Sequence, residues 1–568
     1  MTIDNCELAT QNWKRTRLGE GRAVAGRSSM VFILHKYIFR ELLKVFAPAV
    51  VALTLILSLG SVLRPMQEFG VGPRQAVHIM GYFLPVTLTF VLPIAALFAG
   101  ALVYGRLAGD NELDACKASG IGFLRLVYPG LALALIVASA NLILSFHVTP
   151  IFVHLAEKSL KADAKQIVFR NIQRRGYYEL PDSGYRIYAD YADPQTDTLV
   201  GVLVAQVQRG RIEDVFGGDA AKVYFNPHGQ MNEVRVVVHK PYKLGLADEG
   251  AAEWLPFTWE FGSLLGDDIK FKRIDQMRAI EADLMRFSPV NKLVRETYAQ
   301  FVAELLAQDI ARELGIVNRE SQRDPRITNH EPRYELRGEP NSVRFTATQC
   351  AVQARAVELS GDVAVSEYDA NYTQLLYRLR SAKASLYIEG DGPALTLTMD
   401  IYRATEEGSG QLRMRHVIRG LTLPASVTDV FKTGNIMDDI RPQVLESALE
   451  KGPSENLRQV HNELQRRIRI TLIDIKAEIH SRLAFGMGCV PMILIGIGLG
   501  VIKKGGHMLS AFAASCVPAA VLIVCIISGK QVTENLGSQA ISGTLLTWAG
   551  LVVLVVLAIV LYHRLLRN

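Results

Sequence analysis

A loop of sixteen residues, 105–120, has the most distinctive spacing of charged and capping residues in this chain: Gly-Arg-Leu-Ala-Gly-Asp-Asn-Glu-Leu-Asp-Ala-Cys-Lys-Ala-Ser-Gly. Asp110 is suited to cap the start of a helix. Glu112 and Asp114 would follow in the first turn, where the helix dipole favours negative charge. Gly120 is suited to end the helix. The pattern predicts a short capped helix whose chemistry is non-covalent recognition.

The same loop contains Arg106 and two apolar residues, Leu113 and Ala118, which would form an apolar edge on the helix. A short helix held rigidly between two longer ones can transfer force from a soluble partner. A capped turn at a membrane interface, with no partner, explains the same residues about equally well.

Motifs for enzymatic chemistry are missing from the sequence. No GxxxxGK[ST] phosphate loop occurs, and the nearest fragment, Ser528-Gly529-Lys530-Gln531, lacks the upstream glycine and the hydroxyl residue. HExxH, paired-cysteine and GxSxG motifs are also absent, and the twelve histidines are scattered. The sequence therefore predicts no catalytic residue, no metal, no cofactor and no enzymatic activity of its own.

Apolar runs set the framework that must position this loop. Each is close to the roughly 20 residues that a helix needs to cross a bilayer, and each is nearly free of charge. The sequence predicts six such spans, at about 45–63, 81–104, 126–146, 483–502, 509–528 and 545–562. Since their central parts carry only neutral polar residues such as Asn141, a carrier driven by protons or ions is disfavoured.

Basic residues in the short flanks predict the orientation, because Lys and Arg are retained in the cytoplasm. With the N-terminus inside, fifteen flanking Lys and Arg are cytoplasmic and only Arg64, Arg74 and Lys530 lie in short outer loops. Both termini are then cytoplasmic, and the segment 151–480 lies outside. The net charge of +6 reflects these flanks and gives no reason to expect nucleic acid.

The outer segment alternates between strand and helix patterns. Apolar residues at every second position, as in 185–191, 395–401 and 412–423, predict strands of one interrupted sheet. Between them, about 274–374, a helical stretch and a polar run predict an insertion. From Ser454 a helical pattern leads into the fourth span. That helix would transmit a change of position between the outer domain and the membrane spans, or it would serve only as a structural connection between them.

Several motifs match one family. They are Tyr37-Ile38-Phe39-Arg40-Glu41, Pro85, Leu92-Pro93, the loop 105–120, Glu478-Ile479-His480-Ser481-Arg482-Leu483-Ala484 and Lys503-Lys504-Gly505-Gly506. The loop looks like the family pattern G-R-L-x-x-D-x-E-L-x-A-x-x-A-S-G and is the specific match. On these residues the chain resembles the paired permease subunits of the lipopolysaccharide export ABC transporter, the LptF/LptG family.

The resemblance implies an α-helical inner-membrane protein with six transmembrane helices and a periplasmic β-jellyroll domain. Its parts would be a cytoplasmic tail (1–30), spans one to three with the coupling helix (31–150), the periplasmic domain with its helical insertion (151–480) and spans four to six (481–568).

The resemblance also implies partners and sites. Arg106, Asp110, Glu112, Leu113, Ala118 and Gly120 would couple the spans to a cytoplasmic ATPase dimer. Arg64 and Arg74 would contact phosphates of the lipid, although an arginine at this interface needs no ligand. The chain would work with a second permease subunit and a periplasmic jellyroll bridge protein to extract lipopolysaccharide from the inner membrane.

Two other functions remain open on the residues alone. A mechanotransmitting or sensory protein would use the coupling loop without moving lipid. A scaffold for periplasmic complexes would need neither the coupling loop nor the movement of a lipid.

Three features depart from the family pattern: a longer outer domain, the glycine-rich stretch Gly496-Ile497-Gly498-Leu499-Gly500, and Trp548-Ala549-Gly550 in the sixth span.

Overall fold

The structure is a computed structural model that describes sixteen ranges of the chain. These are 32–60, 73–162, 164–180, 185–208, 211–228, 231–243, 254–261, 267–316, 333–353, 356–389, 394–404, 412–431, 435–450, 452–502, 508–535 and 540–567. Internal contacts divide the chain into two units. The first consists of Met1–Lys158, Asp268–Arg278 and Ile470–Asn568, and the second of Ser159–Asp267 and Ala279–Arg469.

The described helices and strands, in chain order, have the following bounds. The α-helices are α1 Phe32–Gly60, α2 Pro73–Gly109, α3 Glu112–Ala118, α4 Phe123–Ile143, α5 Thr149–Ala162, α6 Ala164–Arg175, α7 Ile274–Ala282, α8 Ser288–Glu313, α9 Ala425–Thr428, α10 Ile436–Asp439, α11 Pro442–Ala448, α12 Glu455–Ile502, α13 Met508–Asn535 and α14 Ala540–Arg567. The strands are β1 Tyr177–Glu179, β2 Tyr185–Asp193, β3 Thr198–Gln208, β4 Arg211–His228, β5 Met231–His239, β6 Tyr242–Lys243, β7 Trp254–Phe261, β8 Tyr334–Leu336, β9 Asn341–Thr346, β10 Gln349–Gln353, β11 Ala356–Asp369, β12 Leu375–Glu389, β13 Ala394–Ala404 and β14 Leu412–Thr422.

Six helices in the described ranges are long and apolar enough to cross a membrane, as the sequence predicts. They are Phe32–Gly60, Met80–Gly109, Phe123–Ser159, Glu455–Ile502, Cys516–Thr533 and Ser542–Arg567. The third continues from α4 through a π-helical turn, Leu144–Val148, into α5. Large apolar side chains such as Val552 and Ile559 stay exposed on the last of them, as expected of helices that face lipid.

A proline in α2 explains the buried asparagine in α4. Pro93 has no N–H to donate to the carbonyl of Thr89, four residues earlier in the helix. Asn141, which is only 1% exposed, donates its Nδ2 to that carbonyl at 2.8 Å. Asn141 therefore completes the backbone hydrogen bonding of a neighbouring span, which a lipid environment requires.

The glycine-rich stretch of α12 lets this helix approach α2 closely. A Cβ atom on Gly500 would lie 2.5 Å from the carbonyl oxygen of Ala101, and one on Gly496 would lie 3.0 Å from that of Leu97. Glycines four residues apart are a common means of bringing membrane helices together. The stretch is thus explained by packing within the first unit.

Helix α12 begins in the second unit and runs without a break for 48 residues. The hydroxyl of Ser454 accepts a hydrogen bond from the backbone N–H of Leu457 at 3.2 Å, so Ser454 caps the helix. The Ser454 N–H in turn donates to Glu304 of α8 at 3.1 Å, and its hydroxyl also donates to that carboxylate. The helix predicted to start near Ser454 is confirmed.

The strands of the second unit form two seven-stranded antiparallel sheets within the described ranges. The first has the order β1-β2-β3-β4-β5-β7 with β6 beside β4, and the second β14-β13-β12-β11-β9-β8 with β10 beside β11. The prediction of a single interrupted sheet is therefore wrong. Strands mostly pair with their neighbours in the chain, so those before the helical stretch form one sheet and those after it form another.

Strands β8, β9, β10 and β11 fall inside the range 274–374 predicted as an insertion. Its described helical part ends with α8, which packs on β10, β11 and β12 through buried residues such as Phe301 and Leu306. Asp309 of α8 accepts hydrogen bonds from Tyr334 at 2.7 Å and Ser426 at 2.9 Å. The range is thus built into the second sheet.

The predicted alternation of the strands is only partly regular. In β2, Ile187 and Ala189 are buried, but Tyr191 is 62% exposed and Ala192 is buried instead. In β13, the leucines are buried as predicted, and Thr396 and Thr398 between them are also buried. That strand lies inside its sheet and is covered on both faces.

Candidate functional site

Helix α3 occupies the loop between α2 and α4, where the sequence predicts a short helix. Its N-cap residue is Asn111, in the left-handed conformation with φ 59°, and its side chain makes no capping hydrogen bond. Asp110 lies in the preceding turn, where its N–H donates to the carbonyl of Arg106 at 2.9 Å. The prediction that Asp110 caps the helix is wrong, because α3 begins at Glu112 and Asn111 holds the N-cap position.

The acidic residues lie where the sequence predicts them. Glu112 and Asp114 are in the first turn of α3, and the Glu112 side chain is exposed. Burial raises the pKa of the nearby Cys116 thiol, and the negative charge of Glu112 adds to this effect. At neutral pH, α3 therefore presents negative charge at its start beside a thiol held neutral.

Gly120 ends α3, as the sequence predicts. Its φ of +80° lies in the left-handed region that favours glycine. Its N–H donates to the carbonyl of Lys117 at 2.9 Å, and the N–H of Ile121 donates to that of Cys116 at 3.1 Å. These two bonds form a Schellman motif, which fixes the direction in which the chain leaves the helix.

The predicted apolar edge of Leu113 and Ala118 does not exist as one surface. Leu113 is 3% exposed and belongs to the hydrophobic core formed by α1, α2, α4 and α12, whereas Ala118 is exposed. The two residues are five positions apart, whereas side chains on one face of a helix are three or four positions apart. Leu113 therefore anchors α3 to the spans, and Glu112 and Ala118 remain accessible.

Arg106 ties the end of α2 to α1. Its guanidinium donates to the carboxylate of Glu41 at 2.8 Å, and the same carboxylate accepts from Lys44 at 2.6 Å. A second link joins α1 to α4, where His35 Nε2 lies 2.7 Å from the carbonyl oxygen of Arg125. That carbonyl is left without a helical partner by Pro129.

Lys117 adds a contact between α3 and the start of α4, with its Nζ 5.4 Å from the centre of the Phe123 ring. The described helix ends around α3 are thus linked by an ion pair, backbone hydrogen bonds and a shared core. A force applied to α3 would reach several spans at once.

The side chains of the two residues predicted to contact lipid phosphates both lie outside the described part of the chain. Arg64 lies outside the described residues. Arg74 is in the first turn of α2, and its side chain lies outside the described residues.

A buried ionic cluster in the first unit was not predicted. Glu478 of α12 accepts a hydrogen bond from Arg482 Nε at 2.8 Å and pairs through its other oxygen with Lys530 of α13. The side chains of Arg482 and Glu478 are 5% and 10% exposed. The sequence placed Lys530 in an outer loop, but it lies in α13, which continues to Asn535.

The remaining donors of Arg482 bind backbone carbonyls of the same unit. They reach Ser145 at 3.0 Å, Lys272 at 3.2 Å and Lys270 at 2.7 Å. The planar guanidinium thus holds the π-helical turn and the segment 268–278 against α12. In the sequence, the four-residue spacing of Glu478 and Arg482 was the signal that could have predicted their ion pair, since side chains four residues apart meet on a helix.

Among the described residues, no group of three or more His, Cys, Asp and Glu side chains could hold a metal ion.

A protein-family model matches this chain, whereas no curated protein is similar enough to match it. The model of the family described as "Lipopolysaccharide export system permease LptF/LptG" matches residues 36–238 and 362–564. These segments contain α3 and the Glu478 cluster, and they leave 239–361 unmatched, which includes most of the predicted insertion. Since the match covers more than half of the sequence, the chain belongs to the LptF/LptG family of lipopolysaccharide export permeases.

Proposed function

We propose that this chain is one permease subunit of an ATP-driven exporter that extracts lipopolysaccharide, or a similar large amphiphile, from the inner membrane. The energetic need is large, because each acyl methylene drawn into water costs about 0.8 kcal/mol. The family comprises permease components. ATP hydrolysis then falls to a separate cytoplasmic protein.

The observation that carries the proposal is the construction of α3. Leu113 is locked into the core of the spans, the Schellman motif fixes the exit of the helix, and Glu112 remains exposed. A partner that binds Glu112 and the neighbouring Ala118 can therefore move the spans without first deforming the helix. We assign this role to a dimeric ABC ATPase, with both termini of the chain on the same cytoplasmic side.

The second unit is proposed to be the periplasmic domain, of jellyroll type, that receives the lipid. In the described ranges, β7 with eight residues is an edge strand, long enough for a periplasmic bridge protein to add a strand. The edge of β14 is less open, because Gly420 and Thr422 already form backbone hydrogen bonds with Glu339 and Arg337. Arg64 and Arg74 are proposed to contact lipid phosphates, and a second permease subunit would complete the cavity.

A mechanotransmitting protein is the second candidate. The unbroken helix α12, capped by Ser454 and held by Glu304, suits transmission of a movement without transport of a lipid. The mechanotransmitting function predicts that the same ATPase binds this chain but that no lipid is released.

Co-purification tests the coupling role of α3. The complex is isolated through a tag on this chain, with Glu112→Lys compared with Glu446→Lys, which reverses the charge of an exposed residue on α11. We expect the ATPase to be lost, by at least tenfold, only with Glu112→Lys. Equal retention of the ATPase in both variants would remove α3 from the interface.

A further inference from the structure

The first unit contains a cavity of about 330 Å³ beside the ionic cluster. Its wall is mostly apolar and includes Phe90, Phe485 and Ile526. Lys530, Arg482 and Thr149 line its polar part. A small number of polar groups in an apolar pocket is the usual composition of a site for a small ligand, and the volume is at the lower end of the usual range of about 300–1,000 Å³.

The charges around the cavity do not balance. Lys270 is paired with Asp268 at 2.7 Å. Glu478, by contrast, is a single carboxylate that serves both Arg482 and Lys530. The cluster of three side chains therefore keeps one excess positive charge. The side chain of Arg482 is 5% exposed and that of Lys530 is 29% exposed, so this charge is partly shielded from water. Such shielding makes an unbalanced charge costly, and a bound anion would reduce that cost.

Thr149 supplies an independent sign of a ligand. Thr149 is 9% exposed, and its Oγ1 is buried without a hydrogen-bond partner. A helical threonine commonly donates to the carbonyl four residues earlier. Here that carbonyl belongs to Ser145 and accepts from Arg482 instead, at the π-helical turn. A free hydroxyl thus lines a cavity that also has excess positive charge.

The geometry points to a binding site for one single-chain anionic amphiphile inside the spans of this subunit. The carboxylate or phosphate head would lie near Lys530 and Thr149, and the acyl chain would lie against Phe90, Phe485 and Ile526. The cavity opens at its apolar end, where Phe90 is 48% exposed, and its volume has room for about one chain. The inference is made independently of the proposed export function, and the occupant would stabilise the spans of the bundle.

Binding to the full-length protein in nanodiscs of zwitterionic lipid tests this inference. The probes are laurate, dodecyl phosphate and the uncharged dodecanol, each titrated while the melting temperature of the protein is followed. We expect at least one anion to raise the melting temperature and to bind at least tenfold more tightly than dodecanol. The tighter of the two anions identifies the head as carboxylate or phosphate.

Three variants test the position of the site. Lys530→Gln removes the excess charge and should weaken anion binding at least tenfold, and Thr149→Val, which keeps the shape, should weaken it severalfold. Ile526→Trp should block the chain, while Ile559→Trp, on the exposed face of α14, should not. Dodecanol binding as tightly as both anions, undetectable anion binding, or anion affinity unchanged in Lys530→Gln and Ile526→Trp would each overturn the inference.

Discussion

Two polar side chains of the spans, the buried Asn141 and the partly exposed His35, have local structural reasons. Asn141 donates to the backbone carbonyl that Pro93 leaves free in α2, and His35 lies beside the one that Pro129 leaves free in α4. Both side chains replace a missing backbone N–H. A polar residue of this kind satisfies a backbone carbonyl that a proline leaves without a donor, and it gives no support to an ion pathway.

Replacing Asn141 by Leu should destabilise the protein by about 1–3 kcal/mol, because the Thr89 carbonyl would be buried without a donor. The Pro93→Ala variant restores a backbone N–H at the position that can reach this carbonyl. The cost of Asn141→Leu should therefore be smaller in the Pro93→Ala background. Unfolding free energies of the four proteins in the cycle measure the difference, and additive effects would contradict the explanation.

The Cys350 thiol should be slow to alkylate in the folded protein. Burial raises its pKa to about 12, so at pH 8 only about one thiol in 10,000 is a thiolate, the reactive form. Raising the pH towards 12 should accelerate the reaction. Mass spectrometry of the Cys350 peptide after iodoacetamide treatment measures this, with the unfolded chain as the fast control. Equal rates in the folded and unfolded chains at pH 8 would contradict the burial of this thiol.

The sequence predicted that Glu112 lies in the first turn of the loop helix and that Gly120 ends it, because both features depend on neighbours within a few residues. It did not predict the cluster around Glu478. Lys530 follows an apolar run, so it looked like the first residue of a loop, and its partner is 52 residues away in the chain. Contacts at such a distance leave no periodic signal.

At the scale of elements, the packing of α2 against α12 depends on glycine. Gly500→Ala should destabilise the protein by about 1–3 kcal/mol, since its Cβ would lie 2.5 Å from the carbonyl oxygen of Ala101. Gly81→Ala, in an open part of α2, is the matched control and should be neutral or slightly stabilising. Melting temperatures in one detergent compare the two. A similar loss in both variants would refute the packing argument.

Helices were easier to predict than sheets for a physical reason. A span satisfies its backbone groups within one segment, so an apolar run is enough to identify it. Strands pair with other segments, and alternation within one strand cannot say which segment is its neighbour. The two sheets were therefore predicted as one, and the topology of the proposed jellyroll stays a prediction.

The chain as a whole is predicted to place the loop 105–120 in the cytoplasm and the segment 151–480 in the periplasm. Single cysteines introduced by Glu112→Cys and Glu446→Cys, in a chain whose six native cysteines are replaced by serine, test this because both positions are exposed. An impermeant thiol reagent should label Glu446→Cys from the periplasm of cells with a permeable outer membrane. It should label Glu112→Cys only after the inner membrane is opened. Labelling of both from one side would contradict the proposed topology.

Lipid release is the most direct test of the central claim, which is that this family member moves a lipid at the expense of ATP. The complete complex is reconstituted in proteoliposomes with lipopolysaccharide and a soluble acceptor for it, and release is measured with and without ATP. We expect release that requires ATP and falls at least tenfold with Glu112→Lys but not with Glu446→Lys. ATP hydrolysis by the wild-type complex without lipid release would contradict the exporter and favour the mechanotransmitting protein.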